Sequence, residues 1–212
     1  MTLESRELME AVSVGDLDWV RSLVESGADV NAADEHRSGT LLNFHPGITA
    51  YLLSKGANPN TQTNENGASV LAGLCFVNQL ECARLLLAHG ADVNRGRDES
   101  METPLHHALA GGADIEVIRL LVDSGADVNA KTLPGVCSYN FYGSTPTRGE
   151  TPLHRAAAFA SIEIVQLLLQ AGADRAVRDV RGESPHVWAG WFRREKKVVE
   201  LCGRRDSPRT SC

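Results

Sequence analysis

The sequence of 212 residues is poor in aromatic side chains and has neither a long apolar run nor an excess of basic residues. Phe, Trp and Tyr make up only 5% of it, so a local cluster of them is informative. No apolar run approaches the roughly 18 residues that cross a bilayer, and the polar N-terminus has no signal-peptide pattern. A net charge of −6 argues against general affinity for nucleic acid or anionic membranes. We therefore expect neither as a partner.

The cysteines are five in number and show no paired spacing. They are Cys75, Cys82, Cys137, Cys202 and Cys212. An odd, irregular set of this kind is typical of reduced thiols and not of a disulfide framework. The sequence therefore predicts a cytoplasmic protein.

Motifs that carry catalysis are also missing. The sequence has no glycine-rich phosphate loop, no Cys-x-x-Cys or His-Glu-x-x-His ligand set and no Gly-x-Ser-x-Gly elbow. Cys137 is the best candidate for an exposed thiol, but no neighbour in the sequence would lower its pKa. We expect no catalytic residue, no cofactor and no metal.

What the chain does contain is internal repetition, in two markers. A Gly-Ala-Asp-Val-Asn segment, exact or degraded, begins at Gly27, Gly56, Gly90, Gly125 and Gly172, with spacings of 29, 34, 35 and 47 residues. A Thr-Pro-Leu-His segment begins at Thr103 and Thr151 and is degraded at Ser69 and Ser184. Similarity at such a period indicates a repeat architecture.

Each marker has a mechanical reason. Thr followed by Pro begins a helix, because the hydroxyl can cap a backbone N–H and Pro suits the first helical position. A second helix follows with apolar residues at helical spacing, and Gly125 or Gly172 ends it in a left-handed conformation. Two short helices cannot bury their apolar faces alone, so copies must stack.

These markers resemble the ankyrin repeat family across nearly the whole chain. The resemblance implies an all-α solenoid of about six stacked helix-turn-helix units with an extended loop or hairpin insertion. We expect a repeat domain over 1–203 and a flexible C-terminal tail over 204–212. The expected units span about 5–33, 34–62, 63–96, 97–130, 131–179 and 180–203. The resemblance also makes His106 and His154 structural, since that histidine bonds the repeat backbone in the family.

Two units depart from the pattern. The second is short, and we expect its first helix to be truncated, with Pro46-Gly47 acting as a breaker. The fifth has an insertion over 131–150 that contains Tyr139, Phe141 and Tyr142. These rings either pack back on the solenoid or anchor a partner.

Register along the first helices predicts further contact residues on the concave face. We expect Arg155, Phe159 and Trp188 to face a partner, whereas Trp191 and Phe192 seal the last unit. The predicted function is that of a monomeric, non-catalytic module that binds a protein or peptide on the concave face and the insertion. Two alternatives remain open: an inhibitor or secreted effector that docks on a host or competitor enzyme, and a substrate of an asparaginyl hydroxylase that acts on the turn asparagines.

Overall fold

The computed structural model describes residues 3–33, 39–41, 43–62, 67–96, 99–137 and 146–203. These residues form eleven short α-helices and three isolated antiparallel β-bridges. The chain divides into two compact units, unit 1 (Met1–Ala126) and unit 2 (Asp127–Cys212). The predicted tail 204–212 and the insertion residues Tyr139, Phe141 and Tyr142 lie outside the described residues. No described helix is long and apolar enough to cross a membrane.

Unit 1 contains three helix pairs and one single helix. Its helices are α1 (Leu3–Val14), α2 (Leu17–Glu25), α3 (Pro46–Ser54), α4 (Val70–Phe76), α5 (Leu80–Ala88), α6 (Pro104–Gly111) and α7 (Ile115–Asp123). The first helices α4 and α6 pack on each other, and the second helices form a layer in the order α2, α3, α5, α7. The apolar core lies between these layers.

Unit 2 contains two helix pairs in the same arrangement. Its helices are α8 (Pro152–Phe159), α9 (Ile162–Gln170), α10 (Pro185–Trp191) and α11 (Lys196–Gly203). The first helices α8 and α10 pack together, as do the second helices α9 and α11. Leu153, Ala156, Val165 and Leu168 are fully buried between them.

The helix starts and ends follow the predicted markers. Thr103 and Thr151 are N-cap residues followed by Pro. The side chain of each accepts the backbone N–H of the histidine three residues later, and the ring of that histidine accepts the backbone N–H of the threonine. The Nδ1 atom of His154 accepts the backbone N–H of Thr151 at 3.1 Å, while its Nε2 lies 3.0 Å from the carbonyl oxygen of Glu183. The predicted structural role of these histidines is confirmed.

The asparagine that ends a Gly-Ala-Asp-Val-Asn segment joins one repeat to the next. The side chain of Asn60 donates to the carbonyl of Gly90 at 3.1 Å and accepts the N–H of Asp92 at 2.7 Å. Asn129 bonds Gly172 and Asp174 in the same way within unit 2. The sequence explained these asparagines by turn geometry, whereas the structure gives them an additional, inter-repeat role.

The short second repeat lacks a described first helix. Residues 39–41 and 43–45 form turns and bends in its place, and α3 continues the second-helix layer. The truncation was predicted, but the part assigned to Pro46 was wrong. Pro46 is the first residue of α3, where proline is well tolerated, and so it begins a helix instead of breaking one.

Met101 has a backbone conformation that suits glycine, with φ of 56°. It lies two residues before a helix-start marker, and the residues at the same position in other repeats, Gly67, Gly149 and Gly182, also have positive φ. A left-handed conformation costs a non-glycine residue roughly 1–2 kcal/mol. Met101 is half exposed, so burial of its side chain returns little of that cost.

We predict that Met101→Gly raises the free energy of unfolding by about 1 kcal/mol, because it removes this backbone strain. The reciprocal change Gly149→Ala should lower it by a similar amount, since Gly149 has φ of 70°. Urea denaturation of both variants measures the effect. A lower free energy of unfolding for Met101→Gly would show that the backbone at this position is not strained.

Candidate functional site

The insertion of unit 2 leaves and re-enters the repeat as a paired arm, which we define as residues 131–150. The N–H of Thr132 donates to the carbonyl of Glu150 at 3.1 Å, and Thr147 donates to Val136 at 2.8 Å. An antiparallel bridge joins Cys137 to Pro146. The base of the arm is therefore a hairpin, one of the two predicted forms.

A buried ion pair connects the arm to helix α8. The guanidinium of Arg155 donates to Oε1 of Glu150 at 2.6 Å, and both side chains are almost completely buried. The other carboxylate oxygen of Glu150 accepts the hydroxyl of Thr132 and the backbone N–H of Arg148. Burial raises the pKa of Glu150, but the charge of Arg155 and these hydrogen bonds outweigh it and hold the pKa below its ordinary value.

A second polar cluster surrounds Arg148 at the end of the arm. Its guanidinium pairs with Asp179 at 2.9 Å and with Glu183. It also lies over the rings of Trp188 and Trp191, 5.2 and 5.7 Å from their centroids. Asp179 in turn accepts the indole N–H of Trp188 at 3.1 Å. Arg148 therefore joins the arm to helix α10 through charge and through cation–π contacts.

Beyond Arg148, the ends of α8 and α10 present large apolar side chains. Trp191 is 57% exposed and Phe192 is 39% exposed. The ring of Phe192 packs edge-on against that of Phe159, with centroids 4.5 Å apart. We call Phe159, Trp191 and Phe192 the aromatic patch. An exposed apolar group of this kind is typical of an interaction surface.

Two of the predicted contact residues are core residues instead. Arg155 has no exposed surface and Trp188 is 3% exposed, so neither side chain can touch a partner. The expectation failed because both side chains have partners inside unit 2: Arg155 pairs with Glu150, and Trp188 contacts His154 and Asp179. Phe159 is partly exposed and remains a candidate.

The expected roles of Trp188 and Trp191 are thus reversed. Trp191 and Phe192 were predicted to seal the last repeat, but Trp188 is the buried ring and Trp191 the exposed one. Sequence reasoning also missed Arg148, which lies 40 and 43 residues before the two rings that it contacts. The only sequence signal for Arg148 is its position three residues before the Thr-Pro-Leu-His marker at Thr151.

The buried thiols of the described residues are poor nucleophiles. Burial raises the pKa of Cys75 to about 12 and that of Cys202 to about 11, and it also raises the pKa of Cys82. Cys202 lies in a cavity of about 710 Å³ beside Arg175, Arg178 and His186. Within the described part of the chain, no three His, Cys, Asp or Glu side chains are grouped to hold a metal ion.

Comparison with known sequences agrees with the repeat geometry. The pattern of "Ankyrin repeats (3 copies)" matches residues 40–132, and that of a single "Ankyrin repeat" matches residues 7–35 and 148–180. Together these matches span most of the chain. The chain belongs to the ankyrin repeat family. Ankyrin repeats are generally non-catalytic protein–protein interaction modules, and the predicted all-α repeat fold is confirmed.

The relatives that the chain matches are much longer proteins. The chain is 33% identical over 144 residues to Ankyrin repeat and SOCS box protein 16 of Homo sapiens, a match that covers 66% of this chain and 31% of that protein. It is 31% identical over 183 residues to the Nuclear factor NF-kappa-B p105 subunit of Gallus gallus, covering 84% and 16% respectively. The ankyrin chain thus spans less than a third of either relative.

The Glu150–Arg155 pair predicts a large effect of one substitution. Arg155→Met should lower the free energy of unfolding of unit 2 by about 3–5 kcal/mol, because Glu150 would remain buried without its counter-charge. The double variant Glu150→Gln/Arg155→Met should recover at least half of that loss, since it removes both charges. Urea denaturation followed by fluorescence measures both. Equal losses in the two variants would mean that packing, and not charge, dominates here.

The pKa of His154 predicts a pH dependence of stability. Burial lowers it, and this outweighs the opposite effects of the Glu183 carbonyl and the carboxylates of Asp179 and Glu150. Below the ordinary pKa of histidine, the unfolded chain therefore binds the proton more readily than the folded chain does. Stability should be complete near pH 7.5 and should fall as the pH drops below about 6.5.

The lowered pKa of Glu150 acts in the same direction at lower pH, below the ordinary carboxyl range. Urea midpoints at pH 7.5, 6.5 and 5.5 test the effect of His154. A Trp19→Phe background leaves only Trp188 and Trp191, so that fluorescence reports on unit 2. A midpoint that rises between pH 7.5 and 5.5 would overturn the prediction.

Proposed function

We propose that this ankyrin repeat chain is a non-catalytic module that binds a protein or peptide partner through unit 2. The binding surface comprises the aromatic patch and the arm, which meet at Arg148. The observation that carries the proposal is the exposure of Trp191 on a rigid support. Its indole lies against a guanidinium that two carboxylates hold in place.

Preorganisation supports this role. A side chain that is already fixed loses little conformational entropy when a partner binds, so more of the contact energy contributes to affinity. Trp191 and Phe192 supply large apolar areas of the type that dominates interface energies. The arm adds Tyr139, Phe141 and Tyr142 at positions only a few residues beyond its hairpin base.

The buried thiols favour a module without catalysis. Their raised pKa values leave little thiolate at neutral pH, so they are poorly suited to nucleophilic chemistry. They are well suited to a reducing, cytoplasmic compartment in which apolar cysteines act as small core residues. We extend the proposal to a monomeric protein that acts there.

Affinity capture with matched variants tests the proposed surface. The full chain should retain a specific protein from a lysate of its source organism, and both Trp191→Ser and the triple change of Tyr139, Phe141 and Tyr142 to Ser should reduce its recovery about tenfold or more. Quantitative mass spectrometry measures the recovery. Val14→Ser is the control, because Val14 is a comparably exposed apolar residue in unit 1.

Urea denaturation of the same variants separates binding from folding. Loss of capture with an unchanged midpoint supports a contact role for the substituted rings. An early unfolding transition in the triple variant would make the arm rings part of the fold. Equal capture by all variants would rule out this surface.

A further inference from the structure

The turn between α10 and α11 adds a basic rim to the aromatic patch. Residues 191–197 read Trp-Phe-Arg-Arg-Glu-Lys-Lys, so four basic residues and one acidic residue follow Trp191 and Phe192 directly. Arg193, Lys196 and Lys197 are exposed. Arg194 differs from them, because its guanidinium donates to the carbonyl of Ala160 at the end of α8 and so serves the fold.

The backbone of Arg193 is in a conformation that disfavours arginine. Its φ is 51°, and the corresponding turns after α1, α4 and α6 place Gly15, Asn78 and Gly112 at positive φ. Glycine adopts this conformation without strain, and asparagine tolerates it better than most residues. A long cationic side chain is therefore kept beside the patch at a cost in stability. Such strain is often found at residues retained for function.

The charge balance of unit 2 agrees with an acidic ligand. Residues 127–212 contain 13 Lys and Arg against nine Asp and Glu, a net charge of +4, whereas the whole chain carries −6. The ion pairs of Arg148 and Arg155 are internal, so they add nothing to this excess. Half of this surplus comes from the tail 204–212, which lies outside the described residues, and the other half from described residues, among which the rim cations Arg193, Lys196 and Lys197 are exposed.

Nearby carboxylates decide which rim residue is the main contact. Lys196 lies 3.8 Å from Glu200. Hydrogen bonds from its own backbone N–H and from Ser161 lower the pKa of Glu163, and the charge of Lys197 adds to this effect. Glu195 is exposed within the turn itself. Glu200 and Glu163 thus offset the two lysines, whereas Arg193 has the planar guanidinium that is the better partner for a carboxylate.

The same geometry decides what the indole of Trp191 accepts. An exposed indole attracts either a cation or an apolar side chain. A cation would approach Arg193, Lys196 and Lys197 together and would be repelled. An apolar side chain with a carboxylate beside it satisfies both the ring and the rim.

We propose that Trp191 and Arg193 together bind an acidic peptide segment of a protein partner. The indole of Trp191 takes an aliphatic or aromatic side chain of that segment, and the guanidinium of Arg193 takes an adjacent Asp or Glu carboxylate. This inference rests on the proposed function and specifies the chemistry of the partner.

The experiment selects peptides from a random 12-residue display library on the full chain. The expected binders carry Leu, Phe or Trp next to Asp or Glu. One enriched peptide is then synthesised in two forms, as selected and with every carboxylate replaced by the matching amide. Fluorescence anisotropy measures the affinity of each form for the protein and its variants.

The acidic form should bind about tenfold or more tightly than the amide form, and more weakly as salt is raised from 50 to 500 mM. Trp191→Ala and Arg193→Glu should each weaken its binding about tenfold or more. Arg119→Glu, an exposed charge reversal in unit 1, should leave it unchanged. Arg193→Gly should raise the urea midpoint and still weaken binding, a combination that a purely structural arginine would not produce.

The alternative outcomes separate this inference from the proposed function. Binders without acidic enrichment that still depend on Trp191 or the arm would overturn the acidic-peptide assignment and leave the binding module standing. If no library member binds, the acidic-peptide assignment fails, whereas the affinity capture described above decides the proposed function. If the wild-type chain self-associates in sedimentation and Arg193→Glu abolishes this, the patch receives a second copy of the chain, and the assignment to a different partner is wrong.

Discussion

Burial between neighbouring helix pairs is the constraint on which the remaining features of both units depend. A pair of eight- or nine-residue helices covers only part of its own apolar surface, so the next pair must complete the core. In unit 1, Leu105 and Ala108 of α6 are fully buried because α4 packs against them. The approach is so close that a Cβ atom on Gly111 would overlap the carbonyl oxygen of Phe76. Small residues at such points are therefore required by the stacking distance.

The same constraint determines which polar residues the interior accepts. The position four residues after the first-helix N-cap is held by His107, Arg155 and Trp188 in three successive repeats, and all three side chains are buried. Each large polar or aromatic group there needs a partner that the fold supplies. Arg155 finds Glu150, and Trp188 finds Asp179. A buried charge without such a partner would oppose folding, so the two members of each pair depend on each other.

Features that depend on short-range chemistry could be predicted from the sequence. The caps at Thr103 and Thr151, the glycine ends of the second helices, the shortening of the second repeat and the inserted arm all follow from local patterns. Side-chain exposure could not be predicted in this way, because it depends on which neighbour covers a given turn of helix. Arg155 was expected on the concave face from its register in the repeat, yet a carboxylate from the arm holds it inside.

The reversal of Trp188 and Trp191 has the same origin. Both rings lie on one short helix, and their spacing of three residues places them on adjoining faces. Only the contacts of Trp188 with His154 and Asp179 decide which of them is covered. Arg148 contacts both tryptophan rings, yet it lies in an insertion that the repeat pattern does not cover.

The exposure of Trp191 is not required by the packing of helix α10. This helix accepts polar and small residues on its outer side: His186 stands where the earlier repeats have the buried Leu105 and Leu153, and Gly190 is exposed beside it. At position 191 the helix instead carries a large apolar side chain, supported from one side by Arg148. Stability alone does not account for an exposed indole beside such a charge network, and for this reason the proposed function places its central contact there.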